Sequence, residues 1–235
     1  MRLDNKYRSN PLMVLVLFAL AGCAKDTAQT TAVPAAPAAP QKICKRVVVL
    51  PFVDLAVVYG PNASVRGPLT RKVFVTDAIA THGELFMTKT LRRLLRAEPN
   101  VQWVTAKAPE MVSSPKSGSR PELIRLLQSL GRRHKADGVL IGYLYAFRER
   151  KGGALGAESP AYVAFEVVLI SVESGRLIWQ PKFSETQEPL NQNLFELGKF
   201  IQRKGRWVTA REMATQALKE IFQTYPGPTV DAGTE

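Results

Sequence analysis

Two long, nearly uncharged stretches in the second half of the chain constrain the fold more than any other feature. Residues 138–147 read GVLIGYLYAF, and residues 162–172 read YVAFEVVLISV. Their density of β-branched and aromatic residues predicts two strands, of which the first is the clearest central strand. The Gly-rich segment between them, with Gly152, Gly153 and Gly156, predicts a hairpin loop.

The first half of the chain predicts two strand–helix pairs. The apolar, β-branched run over 46–52 is typical of a buried strand that Pro51 ends or displaces to a sheet edge. Apolar residues at helical spacing then predict a helix over 76–97, and a short strand follows around Trp103. A second helix begins near Ser119, with a proline in its first turn, and ends in a run of basic residues.

The elements after residue 172 complete one domain. The sequence Glu173-Ser174-Gly175 predicts a tight turn into a strand over 176–183. Two helices follow, the first with Leu194, Leu197 and Ile201 on one face and the second with Ala214, Ala217, Leu218 and Ile221. The resulting order, β-α-β-α-β-β-β-α-α, predicts an α/β fold in which helices pack on a mixed β-sheet in a single domain.

The amino terminus has the pattern of an export signal. Basic residues in the first ten positions precede the uncharged stretch PLMVLVLFAL, which is too short for a stable membrane-spanning helix. The sequence Leu20-Ala21-Gly22-Cys23 then resembles the lipobox of bacterial lipoproteins, which implies cleavage before Cys23 and acylation of that cysteine. Since Ala24 is not the Asp of an inner-membrane retention signal, the resemblance implies a lipid anchor in the bacterial outer membrane, facing the periplasm.

These patterns divide the chain into four predicted parts. Residues 1–22 are a lipoprotein signal peptide, and residues 23–41 are the lipidated cysteine with a Pro/Ala-rich tether. Residues 42–226 form the α/β periplasmic domain, and residues 227–235 form a disordered tail. In the polyproline conformation the tether reaches at most roughly 55 Å, so the domain can stand away from the bilayer.

Two features near the start of the predicted domain leave alternatives open. Acylation of Cys23 removes the only cysteine with which Cys44 could pair inside the chain, so Cys44 is either buried or pairs between chains. Residues 54–75 contain Gly60, Pro61 and further turn-forming residues, and they form a long connection. A loop of that length in a compact domain is often functional or mobile.

The predicted domain and tail are strongly basic. Residues 42–235 contain 28 Lys and Arg against 18 Asp and Glu, a net charge of +10. Such a charge would suit binding of nucleic acid, but the predicted export of the chain argues against nucleic acid as the partner. An anionic envelope lipid or polymer, or an acidic envelope protein, is the expected partner. Four basic clusters are the candidate binding residues: Arg92, Arg93 and Arg96; Arg132, Arg133 and Lys135; Arg148, Arg150 and Lys151; and Arg203, Lys204 and Arg206.

The sequence predicts no catalytic residue, no metal site and no cofactor. His82 and Glu84 are two apart, which does not place them on one helical face, and His134 lies among basic residues. Two Cys and two His match no spaced zinc motif. Acidic residues such as Glu166 and Glu173 are interpreted as solvated strand positions.

Three short motifs resemble the curli-secretion lipoprotein family. They are VVVLPF at 47–52, KADGVLIG at 135–142 and SGRLIW at 174–179. Related domains are the amino-terminal domain of the Tol-Pal translocation protein and the lipoprotein activators of penicillin-binding proteins. The resemblance covers roughly 45–225 and implies their α/β fold. The charged segment 148–161 is too short for the long alternating hairpins of the curli channel, so no pore is predicted.

These features predict a function by elimination. The chain is expected to be a lipid-anchored periplasmic binding or assembly module, not an enzyme, that docks on or organises an envelope protein complex. Two alternatives stay open. One is a secretion component that resembles the curli channel and forms rings, so a homo-oligomer is possible. The other is a hydrolase that acts on the cell wall or on lipid.

Overall fold

The computed structural model describes residues 44–98, 101–115, 118–152, 157–186 and 208–226, and the fold is given for these residues. The strands are β1 Arg46–Val49, β2 Val53–Asp54, β3 Ser64–Arg66, β4 Val73–Val75, β5 Gln102–Thr105, β6 Gly138–Arg148, β7 Lys151–Gly152, β8 Ala157–Ser159, β9 Tyr162–Ser171, β10 Leu177–Trp179 and β11 Lys182–Thr186. The helices are α1 Leu55–Tyr59, α2 Gly83–Ala97, α3 Glu110–Ser113, α4 Arg120–Arg133 and α5 Ala210–Phe222.

A mixed sheet forms the centre of the fold, as the sequence predicts, and its strand order is β10-β9-β6-β1-β5. The hairpin of β6 and β9 is antiparallel and pairs from Gly138 opposite Ser171 to Arg148 opposite Tyr162. By contrast, β1 is parallel to both β5 and β6. The short strand β2 extends the parallel edge of β6, and β11 pairs with β9. The α/β class, in one domain with a central mixed sheet, is therefore confirmed, and the pairs β3–β4 and β7–β8 form two further small sheets.

Helices cover both faces of this sheet because successive β1 residues point to opposite sides. Val47 and Val49 pack into the cluster that contains the buried residues of α2 and α5. Val48 and Leu50 pack into a second cluster, with the apolar side chains of α4, α1 and the hairpin of β3 and β4. Cys44 is 2% exposed in the first cluster, so it is buried, one of the two alternatives left open for it.

The helix α4 starts next to Ser119, as predicted, and a capping box forms there. The Ser119 hydroxyl accepts a hydrogen bond from the Glu122 backbone N–H at 3.4 Å, and the Glu122 carboxylate accepts one from the Ser119 N–H at 2.8 Å. These bonds lower the pKa of Glu122. The helix ends at Arg133, inside the basic run that is expected to end it.

We expect Ser119→Ala to lower the free energy of unfolding by about 1 kcal/mol, because the Glu122 N–H at the start of the helix loses its side-chain acceptor. Chemical denaturation of the purified chain measures this loss. Ser129→Ala is the matched control, since Ser129 is exposed in the interior of α4 and its loss removes no cap. An equal loss in both variants would contradict the capping role.

Two predicted elements have different bounds in the structure. The helix expected over 76–97 begins at Gly83, because the preceding residues bond to the end of β6, where the Ala80 N–H donates to the Phe147 carbonyl at 2.8 Å. His82 adopts a left-handed φ of 62° and lies before the first turn. The strand expected over 176–183 is divided into β10 and β11, with Gln180 and Pro181 between them.

The segments expected to be loops also contain regular structure. Residues 54–75, interpreted as a long connection, contain α1 and the hairpin of β3 and β4. The polar segment after β5 contains the one-turn helix α3. Among the described residues, no helix has both the length and the apolar character needed to cross a bilayer. The predicted signal peptide, tether and tail, and the helix expected around Leu197, lie outside the described residues.

Candidate functional site

The order of the strands creates a cleft at one edge of the sheet. From β1 the chain crosses through α2 to β5 on one side, and then through α4 to β6 on the other side. The residues that follow β1 and β5, together with those that precede α2, line this cleft at the carboxyl ends of the two strands.

The cleft at this edge has an apolar floor and a charged rim. It encloses about 600 Å³, and Phe52, Val57, Val58 and Ile79 contribute to its walls. Val57 is 82% exposed, the highest value among the large exposed apolar side chains of the described residues. The ionisable rim residues are Asp54, His82, Glu84 and Lys107.

Short local contacts hold the walls of the cleft in place. The Phe52 backbone N–H donates to the Thr88 hydroxyl at 2.8 Å, and that hydroxyl donates to the Glu84 carbonyl at 2.7 Å, which joins the end of β1 to α2. The Asp54 carboxylate caps α1 by accepting a hydrogen bond from the Val57 N–H at 2.9 Å. Burial raises the pKa of Asp54, against the effect of its backbone hydrogen bonds. The cleft therefore has fixed walls on both sides.

The two residues first considered for catalysis, His82 and Glu84, both line this cleft. They flank the first residue of α2, because His82 is its cap and Glu84 lies in its first turn. Among the described residues, no group of three or more His, Cys, Asp and Glu side chains could hold a metal ion. The arrangement is suited to binding an apolar group beside charged partners.

Glu166 is buried, which corrects the interpretation that it is a solvated strand position. It is 0% exposed and lies beneath the hairpin of β3 and β4. Its carboxyl accepts hydrogen bonds from the Thr70 hydroxyl at 2.5 Å and from the Tyr145 hydroxyl at 2.8 Å. Glu173 is exposed, as expected. The apolar residues on both faces of β9 are a signal of burial, but they do not identify the hairpin that covers one of these faces.

The surroundings of Glu166 fasten the hairpin to the sheet. Burial raises the pKa of its carboxyl, and the hydrogen bonds and the nearby Lys72 oppose this shift. Phe74 stacks on the Tyr145 ring with centroids 3.9 Å apart. A Cβ atom on Gly67 would lie 2.5 Å from the Glu166 carboxyl oxygen, so only glycine permits this close approach. Glu166 is inaccessible to solvent and its carboxyl is hydrogen-bonded within the fold, which indicates a structural role.

The basic clusters lie on two different edges. Arg92, Arg93 and Arg96 lie in the last turns of α2, and Arg132, Arg133 and Lys135 lie at the end of α4. Both helices end where β5 and β6 begin, so both clusters lie at the amino ends of the parallel strands. The structure thus brings two of the four predicted clusters to one edge.

The third cluster follows β6 at the opposite edge, and part of it has internal partners. Arg148 forms an ion pair with Asp77, and its guanidinium lies over the Tyr162 ring. An Arg150 guanidinium nitrogen donates to the Gly152 carbonyl at 2.8 Å, and Lys151 is exposed. The fourth cluster, Arg203, Lys204 and Arg206, lies outside the described residues, as does Cys23.

Comparisons with known proteins find similarity in fold only. No protein-family model and no curated protein matches this chain. The PelC dodecamer from Paraburkholderia phytofirmans shares 14% identity at a TM-score of 0.45, over 79% of this chain and 89% of that chain. Lipoprotein GNA1162 from Neisseria meningitidis shares 13% identity at a TM-score of 0.37, over 67% of this chain and 93% of that chain. The LpoB C-terminal domain from Escherichia coli shares 17% identity at a TM-score of 0.34, over 63% of this chain and 88% of that chain.

These similarities are distant, and the proteins found include a bacterial lipoprotein. Membership in the curli-secretion family stays a prediction.

Proposed function

We propose that this chain is a lipid-anchored periplasmic module that binds a protein of the cell envelope through the cleft between β1 and β5. Cys23 carries the anchor in the outer membrane, and the domain docks on or organises the complex that contains its partner. The proposed role is binding and assembly, without catalysis.

One observation supports the cleft as the binding surface. Val57 is 82% exposed beside an apolar floor formed by Phe52, Val58 and Ile79. Charged side chains surround this floor, so the cleft has the apolar centre and polar rim of a protein interface. A folded chain gains nothing from an exposed valine at a fixed position, whereas a partner that covers it gains the free energy of apolar burial.

Photo-crosslinking in living cells tests the cleft. A photoreactive amino acid replaces Lys107, an exposed residue on the rim. We expect a discrete adduct with one envelope protein, and we expect Val57→Arg to reduce its yield at least about tenfold by placing a charge in the apolar centre of the interface. Because Val57 is 82% exposed, the substitution is expected to change the free energy of unfolding by less than about 0.5 kcal/mol.

Val73→Arg is the matched control, since Val73 is 54% exposed on β4, outside the cleft. It introduces the same charge at another exposed valine and is expected to leave the adduct unchanged. An adduct that persists in Val57→Arg, or the absence of any adduct from Lys107, would contradict the proposed binding surface.

The alternative of a self-assembling ring rests on a different surface. Val73 and Val75 are 54% and 49% exposed on β4, and β4 pairs with β3 alone in its two-stranded sheet. An exposed apolar edge of this kind can pair with another chain. Native mass spectrometry of the purified chain distinguishes the ring from the proposed binding module. A ring predicts closed oligomers that dissociate in Val73→Arg, whereas binding of a partner in the cleft does not require oligomers.

A further inference from the structure

Exposed cations are concentrated at the edge of the sheet where β1, β5 and β6 begin. We call this surface the basic edge, and its six residues come from the start of β1, the end of α2 and the end of α4: Lys45, Arg93, Arg96, Arg132, Arg133 and Lys135. The turn between β9 and β10 lies at the same edge and adds Arg176, which is also exposed.

The acids of these same segments only partly balance the cations. Glu98 and Glu173 each contribute one negative charge. The Asp137 carboxylate accepts hydrogen bonds from the backbone N–H groups of Lys45 and Arg46, at 3.1 and 3.0 Å. The end of α5 adds one charge of each sign, Lys219 and Glu220. The basic edge therefore keeps a net positive charge.

The first described residue lies at this same edge. Cys44 lines a small pocket together with Arg132, Asp137 and Glu173, so the chain leaves the domain within the basic edge. Twenty residues separate Cys44 from Cys23 in the sequence. At about 3.1 Å per residue, they reach at most roughly 60 Å. An anchor at Cys23 therefore lets the basic edge reach the bilayer without the chain passing around the domain.

We propose that the basic edge docks on the anionic headgroups of the bilayer that holds the anchor, and that it orients the domain with the cleft away from the membrane. This inference rests on the lipid anchor of the proposed function. Guanidinium groups pair with the phosphates of anionic lipids, and the attraction extends about one Debye length from the surface. The cleft lies at the opposite ends of the same parallel strands and faces the periplasm.

The test measures the distance of each edge from the bilayer in the acylated full-length chain. A fluorophore is attached to cysteine introduced at Ser174, an exposed residue of the β9–β10 turn, or at Val57 in the cleft. The anchored protein is placed in vesicles of phosphatidylethanolamine and phosphatidylglycerol that contain a headgroup quencher. We expect stronger quenching at Ser174 than at Val57, and loss of the difference in phosphatidylcholine vesicles or in 1 M salt, where the Debye length is about 3 Å.

Charge-reversal variants test which residues are responsible. Replacement of Arg93, Arg132 and Arg133 by Glu is expected to lower the ratio of docked to undocked molecules by about 100-fold or more. The control triple replaces Arg66, Lys151 and Lys182, which are exposed away from the basic edge, by Glu and is expected to leave the quenching unchanged. If the first triple variant does not fold, the dependence of quenching on lipid charge and salt in the unsubstituted chain tests the docking on anionic headgroups.

The outcomes separate the two proposals. A chain that fails to float with vesicles overturns the lipid anchor, and the orientation with it. A chain that floats but is quenched equally at both edges, or more strongly at Val57, overturns the orientation alone. Quenching at Ser174 that is independent of lipid charge overturns docking on anionic headgroups.

Discussion

Gly142→Ala is expected to lower the free energy of unfolding by about 2–3 kcal/mol, because β6 has no room for a side chain at this position. A Cβ atom there would lie 2.3 Å from the Phe52 ring, which is 3% exposed and packs edge-on against Phe165. The rigid ring must move or the strand must bend, and such overpacking of a core is destabilising. Since Phe52 also lines the cleft, movement of its ring is expected to change the shape of the proposed binding surface.

A double-mutant cycle with Phe52→Leu tests this cause. Leucine lacks the ring atoms that the new methyl group would meet, so Gly142→Ala is expected to cost less than about 1 kcal/mol in the Phe52→Leu background. Denaturant unfolding of the four proteins gives the coupling energy. Additive effects would show that Gly142 is needed for another reason, such as the geometry of the strand itself.

Glu166→Gln is expected to change the pH dependence of stability more than any other single carboxyl substitution. Burial raises the pKa of Glu166 above its ordinary value of 4.5, so the native state binds this proton more tightly than the unfolded chain does. Its contribution to stability is therefore full below pH 4.5 and is lost as the pH rises through the raised pKa. The slope of this loss is at most about 1.4 kcal/mol per pH unit.

Glutamine cannot ionise, so the stability of Glu166→Gln relative to the parent chain is expected to rise over that same pH range. Thermal and denaturant unfolding from pH 4 upward measure the difference. Glu158→Gln is the matched control, because Glu158 is exposed and belongs to β8 at the rim of the fold. A difference for Glu166→Gln that does not change with pH would contradict a raised pKa in the folded chain.

The central elements of the fold could be predicted from local patterns. Residues 138–147 and 162–172 have enough β-branched and aromatic side chains to identify the hairpin of β6 and β9. The Ser119 capping position identified the start of α4 within one residue. Elements with weak apolar periodicity were missed, and α1 in particular depends on the Asp54 cap and on packing of Leu55, which is 0% exposed.

The candidate site could not be predicted in the same way. The cleft exists because β1 lies between β5 and β6, and no local pattern in the sequence encodes that order. Lys107 and Phe52 therefore come together only in the folded chain. Glu166 was misinterpreted for a similar reason: the apolar neighbours of Glu166 in β9 do not identify its partners, because Thr70 and Gly67 come from a hairpin almost one hundred residues earlier.

The parallel position of β1 also has a kinetic consequence for synthesis and export. Val47 pairs with Trp103, which is 56 residues later, and with Gly138, which is 91 residues later, so the first strand of the domain has no partner until these segments have emerged. The hairpin of β6 and β9 closes over a shorter loop, because Arg148 and Tyr162 are 14 residues apart, and loop closure is faster for nearby residues. The apolar segment VVVLPF is thus exposed to aggregation while it lacks its partners, and chaperones that bind unfolded chains are expected to protect it.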